Sequence, residues 1–206
     1  VSQCKGKIPV IAGTGSNSTD EAVELSKFAE KAGSDALLVV TPYYNKPTQE
    51  GLYQHYKKIN DSVGIPIIIY NIPSRSVIDM SVETMSKLYE LKNITGVKDA
   101  TGDLNRVDQQ LKAMGKDFIQ LTGNDDNAFE FNKRGGVGAI GVTANIAAKM
   151  SSDFQKACTQ NTAEAEKLDK LLQPLHSALF IESNPSPVKY AASLLGMCNP
   201  SVRLPL

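Results

Sequence analysis

The sequence predicts an α/β fold built from connected strand–helix–strand units. Six short apolar runs, rich in Val, Ile and Leu, recur along the chain, and amphipathic stretches separate them at intervals of roughly 20 to 30 residues. The runs are continuous rather than alternating, as expected for parallel strands that are covered on both faces. They read IPVIAGTG, DALLVVTPYY, IPIIIYNIP, ITGVKDATG, FIQLTGND and GVGAIGVT.

The stretches between these runs predict helices. In STDEAVELSKFAEKAG the apolar residues recur at helical spacing, Ser18 or Thr19 can cap the N-terminus, and Gly33 lies near the end. The segment MSVETMSKLYEL has the same character, and the tail from SSDFQKAC to LLGMCNP contains helical patterns only. We therefore expect residues 1–150 to hold the strand–helix units and residues 151–206 to form a C-terminal helical segment packed on them.

Connected units of this kind form either an open doubly wound sheet or a closed TIM (β/α)8 barrel. Every predicted strand ends in a polar cluster, and TIM barrel enzymes build their active sites from such clusters at the carboxyl ends of the strands. A closed barrel needs about eight strands, whereas the sequence predicts about six. Either the sheet is open or the chain is part of a barrel.

Composition narrows the classes of function. Lys and Arg number 22, and so do Asp and Glu, which leaves no net charge to attract nucleic acid or an anionic membrane. No apolar run approaches the roughly 20 residues of a membrane span. The three cysteines form no Cys-x-x-Cys pair and the two histidines are far apart in sequence, so we expect reduced thiols, a cytoplasmic location and no metal site.

Two strand ends carry candidate catalytic residues. Lys98 ends the fourth run, and a lysine that faces a barrel interior loses hydration, which lowers its pKa and frees the amine to attack a carbonyl. The alternative is a surface ion pair with Asp99 or Asp103. Tyr70 ends the neighbouring run, where its hydroxyl could move protons for that amine; the alternative is a packing role.

The loops after the second and third runs carry candidate binding residues. Arg75 could bind a carboxylate through two parallel hydrogen bonds, or it could be an ordinary solvated arginine. Tyr43 and Tyr44 follow Pro42, which ends the strand, and two bulky tyrosines in a loop indicate an interface or a ligand lid. Core packing is the alternative.

Five segments resemble one family in their order and spacing. They are VIAGTGSNST, VVTPYYNKPTQEGLYQHY, YNIPSRS, GVKDATGD and NPSPVKYA. They are similar to the pyruvate-dependent class I aldolases of the dihydrodipicolinate synthase and N-acetylneuraminate lyase type, nearly from end to end. TPYYNKP and the arginine after YNIPS resemble the synthases. The resemblance implies a TIM barrel of which this chain supplies about six strands, without the first two, followed by C-terminal helices.

The resemblance also implies a role for each candidate. Lys98 matches the lysine that forms an imine with pyruvate, and Tyr70 matches a proton-shuttling tyrosine. Arg75 matches the arginine that holds the carboxylate of the aldehyde substrate. Tyr44 matches a tyrosine that crosses a dimer interface into the neighbouring site. The pyruvate pocket is implied to include Gly123 and Ile140.

The implied reaction condenses pyruvate with L-aspartate 4-semialdehyde to give 4-hydroxy-tetrahydrodipicolinate, a step of lysine and diaminopimelate biosynthesis. The resemblance implies no metal or organic cofactor, and a homodimer or homotetramer as the working unit. Asn17, Glu21 and Tyr43 match positions that bind L-lysine in lysine-inhibited members. Alternatively, Asn17 and Glu21 only cap and charge a helix N-terminus.

The sequence also departs from the family. Members begin with two further strands, the second carrying a GTTGE-like motif whose threonines serve the proton relay, and they run on past VRLPL into a final helix. We therefore expect this sequence to be part of a longer chain. Two other functions stay open: a related pyruvate aldolase or lyase with another aldehyde, and a catalytically dead paralogue that binds lysine.

Overall fold

The computed structural model, which describes residues 1–4 and 6–206, contains two compact units. The first unit comprises Val1–Gly123 and Arg134–Val137, and the second comprises Asn124–Lys133 and Gly138–Leu206. Compactness does not by itself define a domain boundary, so the boundary expected at residue 150 stays a prediction.

The strands of the first unit pair side by side and parallel, in the order in which they follow one another along the chain. This pattern is that of consecutive βα units and confirms the predicted fold class. Each strand is shorter than its apolar run. The strands are β1 (Ile11–Gly13), β2 (Ala36–Val40), β3 (Ile67–Asn71), β4 (Ile94–Asp99) and β5 (Ile119–Thr122).

Helices connect these strands: α1 (Thr19–Lys31), α2 (Gln49–Asn60), α3 (Pro73–Ser76), α4 (Val82–Tyr89) and α5 (Asn105–Met114). Side-chain caps begin three of them, because the hydroxyls of Ser18, Thr48 and Ser81 each accept a hydrogen bond from a backbone N–H in the first turn. The helices cover one face of the sheet, where Leu37, Val39, Ile67, Ile69 and Val97 are fully buried among helix residues such as Tyr56, Ile59 and Leu88.

Strand β2 departs from the expectation that both faces are covered. Leu37 and Val39 are fully buried, whereas Leu38 and Val40 are only partly buried. The physical reason is that Leu38 and Val40 line a cavity of about 330 Å³ on the face opposite the helices. Only the outer face of this strand therefore contributes fully to the core.

The second unit holds one short strand, β6 (Gly138–Ala139), and four helices: α6 (Ala128–Lys133), α7 (Ala148–Gln160), α8 (Thr162–Ala178) and α9 (Ser186–Leu194). Its core forms around Ala128, Phe154 and Leu172. The Asp125 carboxylate accepts hydrogen bonds from the backbone of Val142 (2.6 Å) and Thr143 (3.0 Å), which fixes the loop after β6. Across the described part of the chain, none of the helices is both long enough and apolar enough to cross a membrane.

Candidate active site

The register of β3 and β4 places Tyr70 directly beside Lys98. The Lys98 Nζ atom lies 3.9 Å from the centroid of the Tyr70 ring. Both side chains therefore occupy the same face at the carboxyl ends of adjacent parallel strands, the position from which TIM barrel enzymes act on their substrates.

Lys98 is buried, with 9% of the residue exposed. Its side chain passes next to Gly123, where a Cβ atom would lie 3.0 Å from Lys98 Cε and 2.6 Å from the Cβ of Ala100. The Gly123 N–H also donates to the Asp99 carbonyl at 2.8 Å, so β5 runs close to the lysine. The absence of a side chain at Gly123 thus makes room for the lysine at this point.

Tyr70 is half-buried, and burial raises the pKa of its hydroxyl, an effect that the nearby positive charge of Arg75 partly offsets. A tyrosine hydroxyl is already protonated at neutral pH, and the raised pKa keeps it so, which lets Tyr70 donate or relay a proton. Arg75 lies on the short helix α3 and lines the same 330 Å³ cavity as Tyr70 and Tyr43. Apolar walls with a few polar groups are typical of a small-molecule site.

Tyr44 points away from the core of its unit. It has a left-handed backbone (φ 73°) and is 86% exposed, and Lys46 is left-handed as well (φ 47°). The loop is held by hydrogen bonds from the Asn45 backbone to the Tyr43 carbonyl and from the Asn45 side chain to the Asn17 carbonyl, both 2.9 Å long. The exposed ring is thus available to another surface.

The residues matched to lysine binding lie around the start of α1. Glu21 is in the first turn and accepts a hydrogen bond from the Ser16 hydroxyl, while its backbone N–H faces the Ser18 cap at 3.5 Å. Asn17 precedes this turn, and Tyr43 is 41% exposed. Both the ligand-binding role and the helix-terminus role of Glu21 fit this arrangement. Ile140 follows β6 in the second unit and is partly buried.

Sequence reasoning missed the partners of Asp99. The Asp99 carboxylate is buried and accepts hydrogen bonds from Arg106 Nε (2.8 Å), Gln110 Nε2 (2.9 Å) and the Thr101 hydroxyl (2.6 Å). This network does not fit the alternative of a surface pair between Lys98 and Asp99, because both residues are buried. A signal was present: Arg106 and Gln110 are four residues apart and so share one face of α5.

The sequence matches one protein family over its whole length. The model of the Dihydrodipicolinate synthetase family matches residues 1–206. The 4-hydroxy-tetrahydrodipicolinate synthase of Pelagibacter ubique is 72% identical over 210 residues, which cover 100% of this chain and 72% of that protein.

Solved structures share the fold. The dihydrodipicolinate synthase of Acinetobacter baumannii, complexed with pyruvate, has a TM-score of 0.96 and 47% identity, covering 98% of this chain and 70% of that one. The dihydrodipicolinate synthase of Cyanidioschyzon merolae, with lysine bound, has a TM-score of 0.94 and 37% identity. The match covers 100% of this chain and 70% of that one. The six strands of this chain therefore correspond to strands of the TIM barrel in these synthases, as predicted.

Proposed function

The chain belongs to the dihydrodipicolinate synthetase family, and we propose that it condenses pyruvate with L-aspartate 4-semialdehyde through an imine on Lys98. As a member of this family at 72% identity to a named synthase, it is a lyase. The observation that carries the proposal is the buried amine of Lys98, 3.9 Å from the Tyr70 ring at the carboxyl ends of β3 and β4.

Lys98 is the nucleophile in this proposal. Its neutral amine attacks C2 of pyruvate, and loss of water from the carbinolamine gives the imine. The imine draws electrons from the methyl group, so a proton leaves and an enamine forms. The enamine carbon attacks the aldehyde carbon of the second substrate. The amine of that substrate then adds to the imine carbon and displaces Lys98, which closes the ring and releases 4-hydroxy-tetrahydrodipicolinate.

Tyr70 moves protons in these steps. A carbinolamine must gain a proton on its hydroxyl to lose water, and the aldehyde oxygen must gain one when the new bond forms. A tyrosine hydroxyl is protonated at neutral pH, and burial raises the pKa of Tyr70 further above that range, so it can supply such protons and recover them. The imine itself accepts the electrons, and we propose that the reaction uses no metal or organic cofactor.

Arg75 and Gly123 bind substrate in this proposal. Arg75 lines the cavity beside Tyr70 and offers two donors for the carboxylate of the aldehyde substrate. Gly123 leaves space beside Lys98 for pyruvate once the imine forms. Ile140 is proposed to complete the pyruvate pocket, which rests on the family resemblance alone.

The same family resemblance is the basis for two further proposals, on the assembly of subunits and on regulation by L-lysine. We propose that Tyr44 reaches into the site of a second subunit in a homodimer or homotetramer, which its 86% exposure supports. We also propose that L-lysine binds at Asn17, Glu21 and Tyr43, since a related enzyme was solved with lysine bound. The expected location is the cytoplasm.

The test is to trap the imine. The protein at its natural length is incubated with pyruvate and reduced with borohydride, and the modified peptide is identified by mass spectrometry. We expect one pyruvate adduct, on Lys98. Lys98→Met should abolish it, whereas Lys92→Met, a change at an exposed lysine on a loop, should leave it intact.

Two outcomes would contradict the proposal. No adduct in the folded protein would favour a catalytically dead paralogue. An adduct on Lys98 without turnover of aspartate semialdehyde would favour an aldolase that acts on another aldehyde, a choice that small changes in a pocket can make.

A further inference from the structure

The residues that follow Tyr70 and Lys98 form a second pair on the opposite side of the sheet. Asn71 and Asp99 are neighbours in the register of β3 and β4. Side chains of successive strand residues point to opposite faces, so Tyr70 and Lys98 face one way and Asn71 and Asp99 face the helices. Asn71 is fully buried and Asp99 is 4% exposed.

Arg106 connects this second pair. Its Nε donates to Asp99 at 2.8 Å and another guanidinium nitrogen donates to the Met80 carbonyl at 2.9 Å. A third guanidinium nitrogen lies 3.6 Å from the Asp79 carboxylate. The guanidinium is planar and rigid, so these contacts fix the ends of β4 and of the segment at Met80 relative to each other.

Asn71 completes the connection to β3. Its side-chain amide donates to the Asp79 carboxylate at 2.7 Å, and its side-chain oxygen accepts from the Met80 N–H at 3.0 Å. A continuous hydrogen-bonded path therefore runs from the end of β3 through Met80 to Arg106, and from there to Asp99 at the end of β4. Asp79 adds an ion pair of 3.6 Å with Arg106 beside this path. The path lies one residue beyond Tyr70 and Lys98.

We propose that Arg106 is a positioning residue for imine formation, an inference that rests on the proposed function of Lys98. By bonding to Asp99 and to the Met80 segment at once, it holds the ends of β3 and β4 so that the Lys98 amine stays over the Tyr70 ring. A displacement of about 1 Å at a reacting group can slow a reaction about 100-fold. Arg106 itself touches neither reactant.

The experiment compares Arg106→Met with two controls in the protein at its natural length. Arg134→Met removes another arginine–carboxylate pair, the exposed bond to Asp108 of 2.8 Å. Leu88→Ala removes buried packing from α4, so it should lower the melting temperature, and it takes no side chain out of the hydrogen-bonded path. The rate of borohydride trapping, kcat and the KM for pyruvate are measured at a temperature where all variants are folded.

We expect Arg106→Met to lower kcat and the trapping rate about 10- to 100-fold, with the KM for pyruvate changed less than about twofold, because orientation rather than binding is lost. Arg134→Met and Leu88→Ala should match the wild type. Arg106→Lys keeps the charge but lacks the rigid planar set of donors, so its rates should fall between those of the wild type and Arg106→Met. If Arg106→Met does not fold, wild-type rates in Arg106→Lys would overturn the inference.

Equal rates in the Arg106 variants and in Leu88→Ala would overturn the inference and leave Arg106 a structural role only. A loss confined to the KM for pyruvate would overturn it as well. Failure of the proposed function is distinct from both, because then the wild-type protein itself would give no adduct.

Discussion

Two parts of the candidate site differ in how they are held. Tyr70 and Lys98, the strand-end pair, belong to paired strands. The Lys98 Nζ atom lies 3.9 Å from the centroid of the Tyr70 ring, and the lysine is buried. The residues Tyr43 to Lys46, the tyrosine loop, include two left-handed positions, and Tyr44 is 86% exposed. The strand-end pair is fixed by contacts within its own unit, whereas those contacts leave the ring of Tyr44 in solvent.

In the proposed oligomer, the strand-end pair carries the chemistry and the tyrosine loop makes the contact between subunits. Groups that react must be held within a fraction of an ångström, which paired strands can do and an exposed loop cannot. A loop residue that completes a site needs a second surface to fix it. Changes at the strand-end pair should therefore act within one subunit, and changes at Tyr44 should depend on the partner.

The largest effect is expected from Tyr70→Phe. The change keeps the ring beside Lys98 but removes the hydroxyl, so kcat should fall about 10²- to 10⁴-fold, as for loss of a general acid–base group. Steady-state kinetics measures it. Tyr89→Phe is the control, since Tyr89 packs edge-on against Phe118 outside the site. A Tyr70→Phe enzyme with normal kcat would remove the tyrosine from the proton transfers.

A smaller effect is expected from Tyr44→Ala, and it should be rescued in trans. We expect a loss of about 10- to 100-fold if the hydroxyl supports proton transfer from the neighbouring subunit. Mixing Tyr44→Ala with Lys98→Met subunits should then restore activity, because a hybrid dimer has one site with both residues intact. Random pairing predicts about a quarter of wild-type activity.

Native mass spectrometry of the mixture must show that hybrids form, because the two variants differ in mass and a hybrid dimer has an intermediate mass. No recovery in confirmed hybrids would mean that Tyr44 acts within its own subunit. That result would remove the contrast between the tyrosine loop and the strand-end pair.

Gly123→Ala should have the next largest effect. The added methyl would meet Lys98 Cε at 3.0 Å and the Cβ of Ala100 at 2.6 Å, so either the lysine or β5 must shift. We expect a loss of unfolding free energy of about 1–3 kcal/mol together with slower imine trapping. Chemical denaturation and borohydride trapping measure these two effects.

The matched control for Gly123→Ala is Gly64→Ala, whose new methyl would meet only the flexible end of Glu30 at 3.3 Å. If both variants trapped pyruvate at the wild-type rate, the close approach of β5 to the lysine would have no catalytic role.

The smallest effect at neutral pH is expected at His55, on α2. Burial lowers the pKa of His55 to about 4, and its Nδ1 lies 2.9 Å from the hydroxyl of Thr19, in the first turn of α1. Between pH 6.5 and 4 the unfolded chain binds more protons than the folded one, so stability falls as the pH falls. The full loss is about 3 kcal/mol.

Denaturant unfolding at pH 7, 6 and 5 tests this prediction. His55→Gln can keep a hydrogen bond to Thr19 but cannot titrate, so its stability should depend less on pH over this range. An equal acid dependence in wild type and variant would show that His55 does not cause it. The first turn of α1 follows Asn17, whose carbonyl accepts the hydrogen bond from the Asn45 side chain that holds the tyrosine loop.

The sequence predicted that Tyr70 and Lys98 lie side by side at the ends of two strands, but it predicted less about the residues around them. Lys98 and Tyr70 could be found because strand ends are visible as breaks in apolar runs, and parallel pairing places such ends side by side. The path through Met80 and Arg106 could not be found in the same way, because it depends on the directions of side chains from β3, β4 and α5. The open inner face of β2 was missed for a similar reason: a continuous apolar run does not reveal which face meets a cavity.

The two faces of β2 are under different constraints. Leu37 and Val39 hold the fold together, and replacing either would leave a void in the core. Leu38 and Val40 contribute less to stability because they border the cavity, so exchanging them should cost the protein little. Substitutions at Leu38 and Val40 can therefore change the shape of the cavity wall while Leu37 and Val39 keep the scaffold in place. Within one strand of five residues, one face is therefore constrained by folding and the other is free to vary between related proteins.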